Sequence, residues 1–526
     1  MKPMRALLVF FFYIFAFPLL TFSDLLVPAM FGSNMVFQQG EPIRVWGWAD
    51  PESQLHVQFA GQTQKALCDR AGDWEVEFPA MKATATPQTL SIHYGKTTLT
   101  YENILIGDVW FCSGQSNMDM ALDGRIQEFS WRKGALNFEE EIAAADHPTL
   151  RLFHIKPFSD REKERRNCIG KWQPCSPKTV GTFSATAYFF GRDLQKSLGV
   201  PIGLIQGSVG GTSIEAWSSI QALYSTEEGK ASVARWEKKV EDWNSGLAEK
   251  RNQERMEAWY REQRNAIRHK QTEPPRPPQD TSPLEDMSYP TSLFNGMLAP
   301  WLRFPVKGMI WYQGESNADN AQAYAPLFRT FIQDWRRLKY QGDIPFYFVQ
   351  LANFEPDGRV DWPQIREAQR QALTLPNTGM AVAIDIGDPK DIHPRNKQAI
   401  GHRLARLALV KTYGAELVPS GPLCQSIERI GDKMKVNFAY ADSGLVCSET
   451  QIPHFELSAD GQIFEPAQAY MEGNSVMVWA EGIQVPKGVR YAWKNDPGKG
   501  LLYNKEKLPA SPFQEVLPEE IAFISP

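Results

Sequence analysis

Five short stretches that are apolar almost without interruption constrain this chain more than any other feature: residues 109–112, 202–206, 309–312, 346–351 and 380–386. A strand buried on both faces has no solvent side on which to alternate, so such runs mark interior strands of a parallel sheet. Helical patterns lie between them. Phe183, Ala187, Phe190, Leu194 and Leu198 share one face ahead of the second run, as do Ile400, Leu404 and Leu407 after the last. Strands alternating with helices predict an α/β domain, here residues 104–411, with helices on both sides of its sheet.

The flanks read differently. Before residue 104, Leu55, Val57 and Phe59, then Leu90 and Ile92, alternate with polar neighbours between turn residues, which predicts a β-sandwich over 24–103. Alternation returns at 434–438 and 489–493, making 412–526 a β-rich C-terminal region. Within the α/β domain, residues of about 224–290 are densely charged and end in a Pro-rich stretch. Trp236, Val240, Trp243 and Leu247 keep helical spacing there, so this segment reads as a helical insertion followed by a loop.

At the N terminus, Lys2 and Arg5 precede an apolar run over 6–20, followed by Thr21, Phe22 and Ser23. That order predicts a cleavable signal peptide over 1–23 and a secreted or periplasmic protein. The run is shorter than the ~20 residues a membrane span needs, and no span is expected in the mature chain. A net charge of -5 leaves no basic excess for nucleic acid. Cys68, Cys112, Cys168, Cys175, Cys424 and Cys447 are available for an oxidising compartment. Cys168 with Cys175, and Cys424 with Cys447, are the pairs that could close short loops, although pairing cannot be deduced from sequence. No Cys or His spacing suits zinc, and neither a metal nor a cofactor is expected.

Ligands of an open parallel sheet bind beyond the carboxyl ends of its strands. The first apolar run is followed by Ser113-Gly114-Gln115-Ser116-Asn117-Met118, and the second by Gly207-Ser208-Val209-Gly210-Gly211-Thr212-Ser213. Gln313-Gly314-Glu315-Ser316-Asn317 follows the third, and the last leads through Asp385, Asp388 and Asp391 to His393-Pro394. A hydroxyl, a glycine pair, an amide and an imidazole are the parts that acyl transfer requires. Each part has a plain structural reading: Ser116 as a helix cap, Gly210-Gly211 and Asn317 as turn residues, His393 as an ordinary loop histidine. Their joint arrival at neighbouring strand ends is what favours catalysis. Because residue 118 is Met, no Gly-x-Ser-x-Gly elbow is present, nor is a phosphate-binding or dinucleotide fingerprint.

The blocks Gly114-Gln115-Ser116-Asn117-Met118, Gly210-Gly211-Thr212-Ser213-Ile214-Glu215, Gln313-Gly314-Glu315-Ser316-Asn317 and Asp391-Ile392-His393-Pro394 resemble those of the sialate O-acetylesterase family within the SGNH superfamily. Val45-Trp46-Gly47-Trp48 and Arg490-Tyr491-Ala492-Trp493 extend the resemblance to both flanks. It implies a flavodoxin-like three-layer α/β/α catalytic domain flanked by β-domains, acting as a serine esterase on an O-acetylated glycan without a metal. By this resemblance Ser116 is the nucleophile and His393 the base. The N–H groups of Ser116 and Gly211 (Gly210 being the near alternative) and the amide of Asn317 form the oxyanion hole. The superfamily places its acid three residues before the histidine, where this chain has Lys390. Asp391 is therefore the expected acid, with Asp388 its rival and a Ser-His dyad the third option. Gln115, Gln313 and Glu315 are assigned to the substrate pocket, Glu315 alternatively to holding its loop. The family name points to 9-O-acetylated sialic acid, whose carboxylate requires an Arg that the sequence does not single out. Acetylated xylan or xyloglucan is the alternative substrate. A non-catalytic glycan-binding protein, which 16 Trp would suit, has no need of Ser116, His393 and Asn317 together.

Overall fold

A computed structural model describes residues 25–126, 130–131, 133–355, 360–449 and 451–518; the predicted signal segment lies outside them. The apolar runs become strands, and two further strands join them on one side: β1 (Thr97–Gly114), β2 (His147–His154), β3 (Trp172–Cys175), β4 (Ile202–Ser208), β5 (Gly308–Tyr312), β6 (Phe346–Gln350) and β7 (Thr378–Val382). They lie in the order β3-β2-β4-β1-β5-β6-β7. Every neighbouring pair is parallel except β2 with β3. β7 stops at Val382, so residues 383–386 open the loop that follows it.

The helices are α1 (Ser116–Asp119), α2 (Ala185–Leu198), α3 (Ile214–Trp217), α4 (Glu227–Asn244), α5 (Leu247–Arg268), α6 (Ala321–Lys339), α7 (Trp362–Gln371) and α8 (Lys397–Lys411). α2 begins where the Ser184 hydroxyl accepts the N–H of Ala187, and ends at Gly199 in the left-handed region (φ 66°). Its Ala187, Phe190 and Leu194 are buried, as are Ile400, Leu404 and Leu407 of α8, as their spacing predicts. The pleat of β6 separates the two helical layers. Phe346 and Phe348 meet Phe328 of α6, whereas the Tyr347 hydroxyl lies 2.7 Å from that of Thr412 just beyond α8.

β1 is 18 residues long and belongs to two domains at once. Its first half pairs with the N-terminal strand Thr84–Tyr94, its second half with β4 and β5. The strands Ile43–Trp48 and Asp73–Phe78 pair as a second N-terminal layer, and Phe78 packs on Phe59 of the first. Towards the C terminus, two four-stranded antiparallel sheets are built from residues 423–516. The charged insertion forms α4 and α5, but Gly246 at φ 77° interrupts the stripe. Leu247 therefore starts α5 instead of continuing α4, and stands exposed. All six cysteines are free, so neither short-loop pair is bridged; burial pushes the Cys168, Cys175 and Cys424 thiols up to about 12. Among the described residues, no helix is long and apolar enough to cross a membrane.

Candidate active site

Where β1 leaves the sheet, Gly114 has φ +141°, and a side chain there would put its Cβ 2.1 Å from the Tyr312 carbonyl oxygen. Only glycine lets the strand turn this close to β5. The N–H of Gln115 then donates to Tyr312 O at 3.0 Å, and α1 begins at once. Residues 115–120 are all buried except Ser116, which keeps part of its surface open. α1 lies at the centre of the sheet, where the chain departs to β4 on one side and to β5 on the other. That is the point at which a parallel sheet opens a crevice.

The loop after β5 is held from several sides. The Gln115 side-chain oxygen accepts the N–H groups of Gly314 (3.4 Å) and Ser316 (3.1 Å). Gln313 donates to Asn317 Oδ1 (2.7 Å) and to Thr212 O (3.3 Å), and accepts from the Tyr324 hydroxyl (2.9 Å). Asn317 Oδ1 also accepts the N–H of Ile214 at the start of α3 (3.0 Å), which leaves its nitrogen as the donor end of the amide. One N–H of Asn317 Nδ2 goes to Glu215 Oε2 at 2.8 Å; the amide carries a second. The other Glu215 oxygen accepts the hydroxyl of Ser232 in α4 (3.1 Å). The insertion thus reaches the site.

Gly211 follows β4 with φ +74°, exposed, with open space where a side chain would stand. Its carbonyl accepts the Ser288 hydroxyl at 3.3 Å. Of the last loop, His393 is buried, with Nδ1 3.5 Å from Asp391 Oδ1. The same oxygen accepts the His393 backbone N–H at 2.9 Å, which sets the carboxylate beside the ring. Asp388 is turned elsewhere: its carboxylate accepts the N–H of Lys390 and its carbonyl that of Asp391.

Asn117 joins these parts. Its Nδ2 donates to Glu315 Oε1 (2.6 Å) and to Ile392 O (3.0 Å), and its Oδ1 accepts from Lys397 Nζ (2.6 Å). The residue after Ser116 is thereby bonded to the residue before His393. Glu315 Oε2 is buried without a hydrogen-bond partner among the described residues, and burial raises its carboxyl above the usual carboxylate range despite Asn117 and Lys397 nearby. Sequence reasoning assigned no role to Asn117, Glu215, Ser232 or Lys397. Asn117 and Glu215 stand inside the blocks quoted for the resemblance, which was signal enough to test them; Ser232 and Lys397 carried none.

The model of one protein family, described as carbohydrate esterase, sialic acid-specific acetylesterase, matches residues 106–273 and 287–410. The chain belongs to this family. It is accordingly an ester hydrolase of the carbohydrate esterase kind. It is 28% identical to the sialate O-acetylesterase of Rattus norvegicus over 92% of this chain and 93% of the rat protein. The Homo sapiens sialate O-acetylesterase is also 28% identical, over 94% of this chain and 92% of the human one. A crystal structure of a carbohydrate acetylesterase from Xanthomonas citri superposes with a TM-score of 0.77 at 32% identity, covering 94% of this chain and 99% of that one.

Proposed function

We propose that this carbohydrate esterase removes O-acetyl groups from sugars through an acyl-enzyme on Ser116, with 9-O-acetylated sialic acid as the substrate. The observation that carries the reading is the Asn117 side chain, which ties the Ser116 turn to the His393 loop through Ile392 O and to the loop after β5 through Glu315, beside an amide whose second N–H has no partner among the described residues. Ser116 Oγ attacks the acetyl carbonyl as His393 takes its proton, and Asp391 steadies the imidazolium. The oxyanion is met by the N–H groups of Ser116 and Gly211 and by Asn317 Nδ2. Collapse expels the sugar alcohol, protonated by His393. Water, deprotonated by His393, then attacks the acyl carbon, and acetate leaves as Ser116 is restored. Counted along the chain, β4-β1-β5-β6-β7 run in the order 2-1-3-4-5, which supports the flavodoxin-like SGNH reading, with β2 and β3 as additions at one edge. Export through the signal peptide over 1–23 belongs to the same proposal.

Asn317→Ala should lower kcat by about 10²–10³, since it removes one oxyanion donor, and should also lower Tm, since the buried Ile214 N–H and Glu215 carboxylate lose a partner. A fall in Tm without that loss of kcat would make Asn317 a brace only.

The sialate reading draws support from Arg161. Its guanidinium lies over the Tyr289 ring at 5.3 Å, next to Ser288, whose hydroxyl reaches Gly211. Arg165 and Arg166 nearby have carboxylate partners, whereas Arg161 has none among the described residues. Arg161→Ala should raise KM about 10-fold for the acetylated sialic acid, the worth of one charge-assisted hydrogen bond, and leave a small aryl acetate unaffected. One observation favours the polysaccharide alternative. A groove of about 850 Å³ runs between the ends of β6 and β7 and the C-terminal region, lined by Asn353, Asp385, Asp496, Lys499 and Tyr503. Acetate release from 9-O-acetylated sialic acid, measured against release from acetylated xylan, separates the two. Release from xylan alone would keep the mechanism and discard sialate, and release from neither, nor from an aryl acetate, would sink the esterase proposal.

A further inference from the structure

Lys397 opens α8 with no exposed surface at all. An ammonium is seldom buried to this extent without a purpose, because its hydration is lost. No described carboxylate lies within ion-pair distance of it. Its Nζ donates to Asn117 Oδ1 at 2.6 Å and stands 5.2 Å from the centre of the Tyr312 ring. Glu315 and Asp391 face it from farther away and favour its charge, yet burial outweighs them and brings its pKa down to about 7.

What this lysine does follows from the chemistry of its one hydrogen-bond partner among the described residues. A side-chain amide can turn over, exchanging its oxygen for its nitrogen, at almost no cost in shape. Lysine offers only donors, so Asn117 must present its oxygen to Nζ. Its nitrogen is then forced towards Ile392 O, which only accepts, and towards Glu315 Oε1. A flipped amide would set N–H against ammonium on one side and oxygen against oxygen on the other. The Asn117 carbonyl is meanwhile held by the Thr186 hydroxyl at 3.1 Å, so the backbone next to Ser116 is fixed as well.

We propose that Lys397 is a positioning residue of the esterase site, which fixes the orientation of the Asn117 amide and so keeps the Ser116 turn and the His393 loop at their working separation. The proposal rests on the Ser116–His393 reading given above. It makes Lys397 neither a base nor a substrate ligand, because its Nζ is committed to Asn117 below the turn.

The test is a double-mutant cycle with an aryl acetate as substrate, using the full chain and the variants Lys397→Met, Asn117→Ala and the two combined, with Tm recorded for each. Displacing a reacting group by about 1 Å costs on the order of 10² in rate. Lys397→Met is therefore expected to lower kcat about 100-fold while KM stays within about threefold, the signature of lost geometry in the reacting complex. Asn117→Ala should do the same, and the combined variant should be no slower than Asn117→Ala alone, because both changes act through one amide. Wild-type kcat in Lys397→Met, or losses that multiply in the combined variant, would overturn the proposal. If Lys397→Met does not fold, the cycle is run with Lys397→Gln, whose amide can turn either its oxygen or its nitrogen to Asn117 and so dictates neither orientation, and the same two outcomes decide. Ser116→Ala in the same assay keeps the two readings apart. A dead Ser116→Ala beside a fully active Lys397→Met removes the lysine's role alone, whereas an active Ser116→Ala removes both.

Discussion

Ser116→Ala is expected to lower kcat for acetate release by about 10⁴-fold or more, leaving Tm and substrate affinity close to wild type. Losing the nucleophile of a working Ser-His unit costs as much as losing the whole unit, since the remaining groups have nothing to activate. What survives is the contribution of the oxyanion donors and of binding, which keeps a residual rate above that of water. Stability should hardly change, because Ser116 is the one partly open residue in its turn and no cap bond depends on its side chain. The measurement is acetate release under saturating substrate, with a thermal melt of the same sample. Retention of more than about a tenth of the activity would mean that the nucleophile lies elsewhere. Ser113, on the same strand, is a poor substitute, being completely buried in the sheet.

The second large effect concerns stability. Arg366→Met should destabilise the fold by at least ~3 kcal/mol and loosen the C-terminal region from the catalytic domain. Arg366 in α7 has no exposed surface and donates to four carbonyl oxygens: Leu351 (2.9 Å) and Ala352 (2.7 Å) after β6, and Lys494 (2.8 Å) and Asn495 (2.9 Å) in the C-terminal region. Burial draws its pKa down to about 9, opposed by Asp496, so the guanidinium is retained against a desolvation cost. Methionine fills a similar volume but leaves the Leu351 and Lys494 carbonyls without donors, at ~1–3 kcal/mol for each that water cannot reach, and leaves Ala352 O and Asn495 O only the Trp362 indole and the Phe354 N–H. Lysine should not rescue it, as one ammonium cannot span four carbonyls set in a planar fork. Scanning calorimetry should show one transition splitting into two, with the C-terminal part melting first. An unchanged single transition would refute this account.

Much of the architecture could be read from local pattern. The interior strands are apolar because both faces are covered, and a run such as 346–351 needs no partner to announce itself. The strand β2, between β3 and β4, escaped notice for the opposite reason. Thr149 and Arg151 interrupt its apolar residues, and Arg151 is buried only because Asn34 and Asn103, far off in sequence, satisfy its guanidinium. The same distinction runs through the site. Ser116, Gly211, Asn317 and His393 stand just beyond strands whose order sets their positions, and the structure brings these segments together at the carboxyl ends of the strands. Between Asp388 and Asp391 the sequence offered a choice, and only the turn that uses up the Asp388 carboxylate puts Asp391 beside His393. The partnership of Lys397 with Asn117 joins residues 280 positions apart. Nothing near either one hints at the other.

The strand shared by the N-terminal and catalytic domains has a mechanical consequence. β1 runs on for eighteen residues through a left-handed kink at Asn103 (φ 58°), where its pairing with Thr84–Tyr94 shifts register, and Ser116 sits two residues past its tip. No loop or linker separates its two halves. The N-terminal sandwich is thereby tied to the Ser116 turn by continuous strand. Cutting the chain at residue 104 would not release a catalytic unit. It would strip Val36–Gln38 from its parallel pairing with residues 105–107 and open a raw sheet edge at Ile104, Leu105 and Ile106, all now buried.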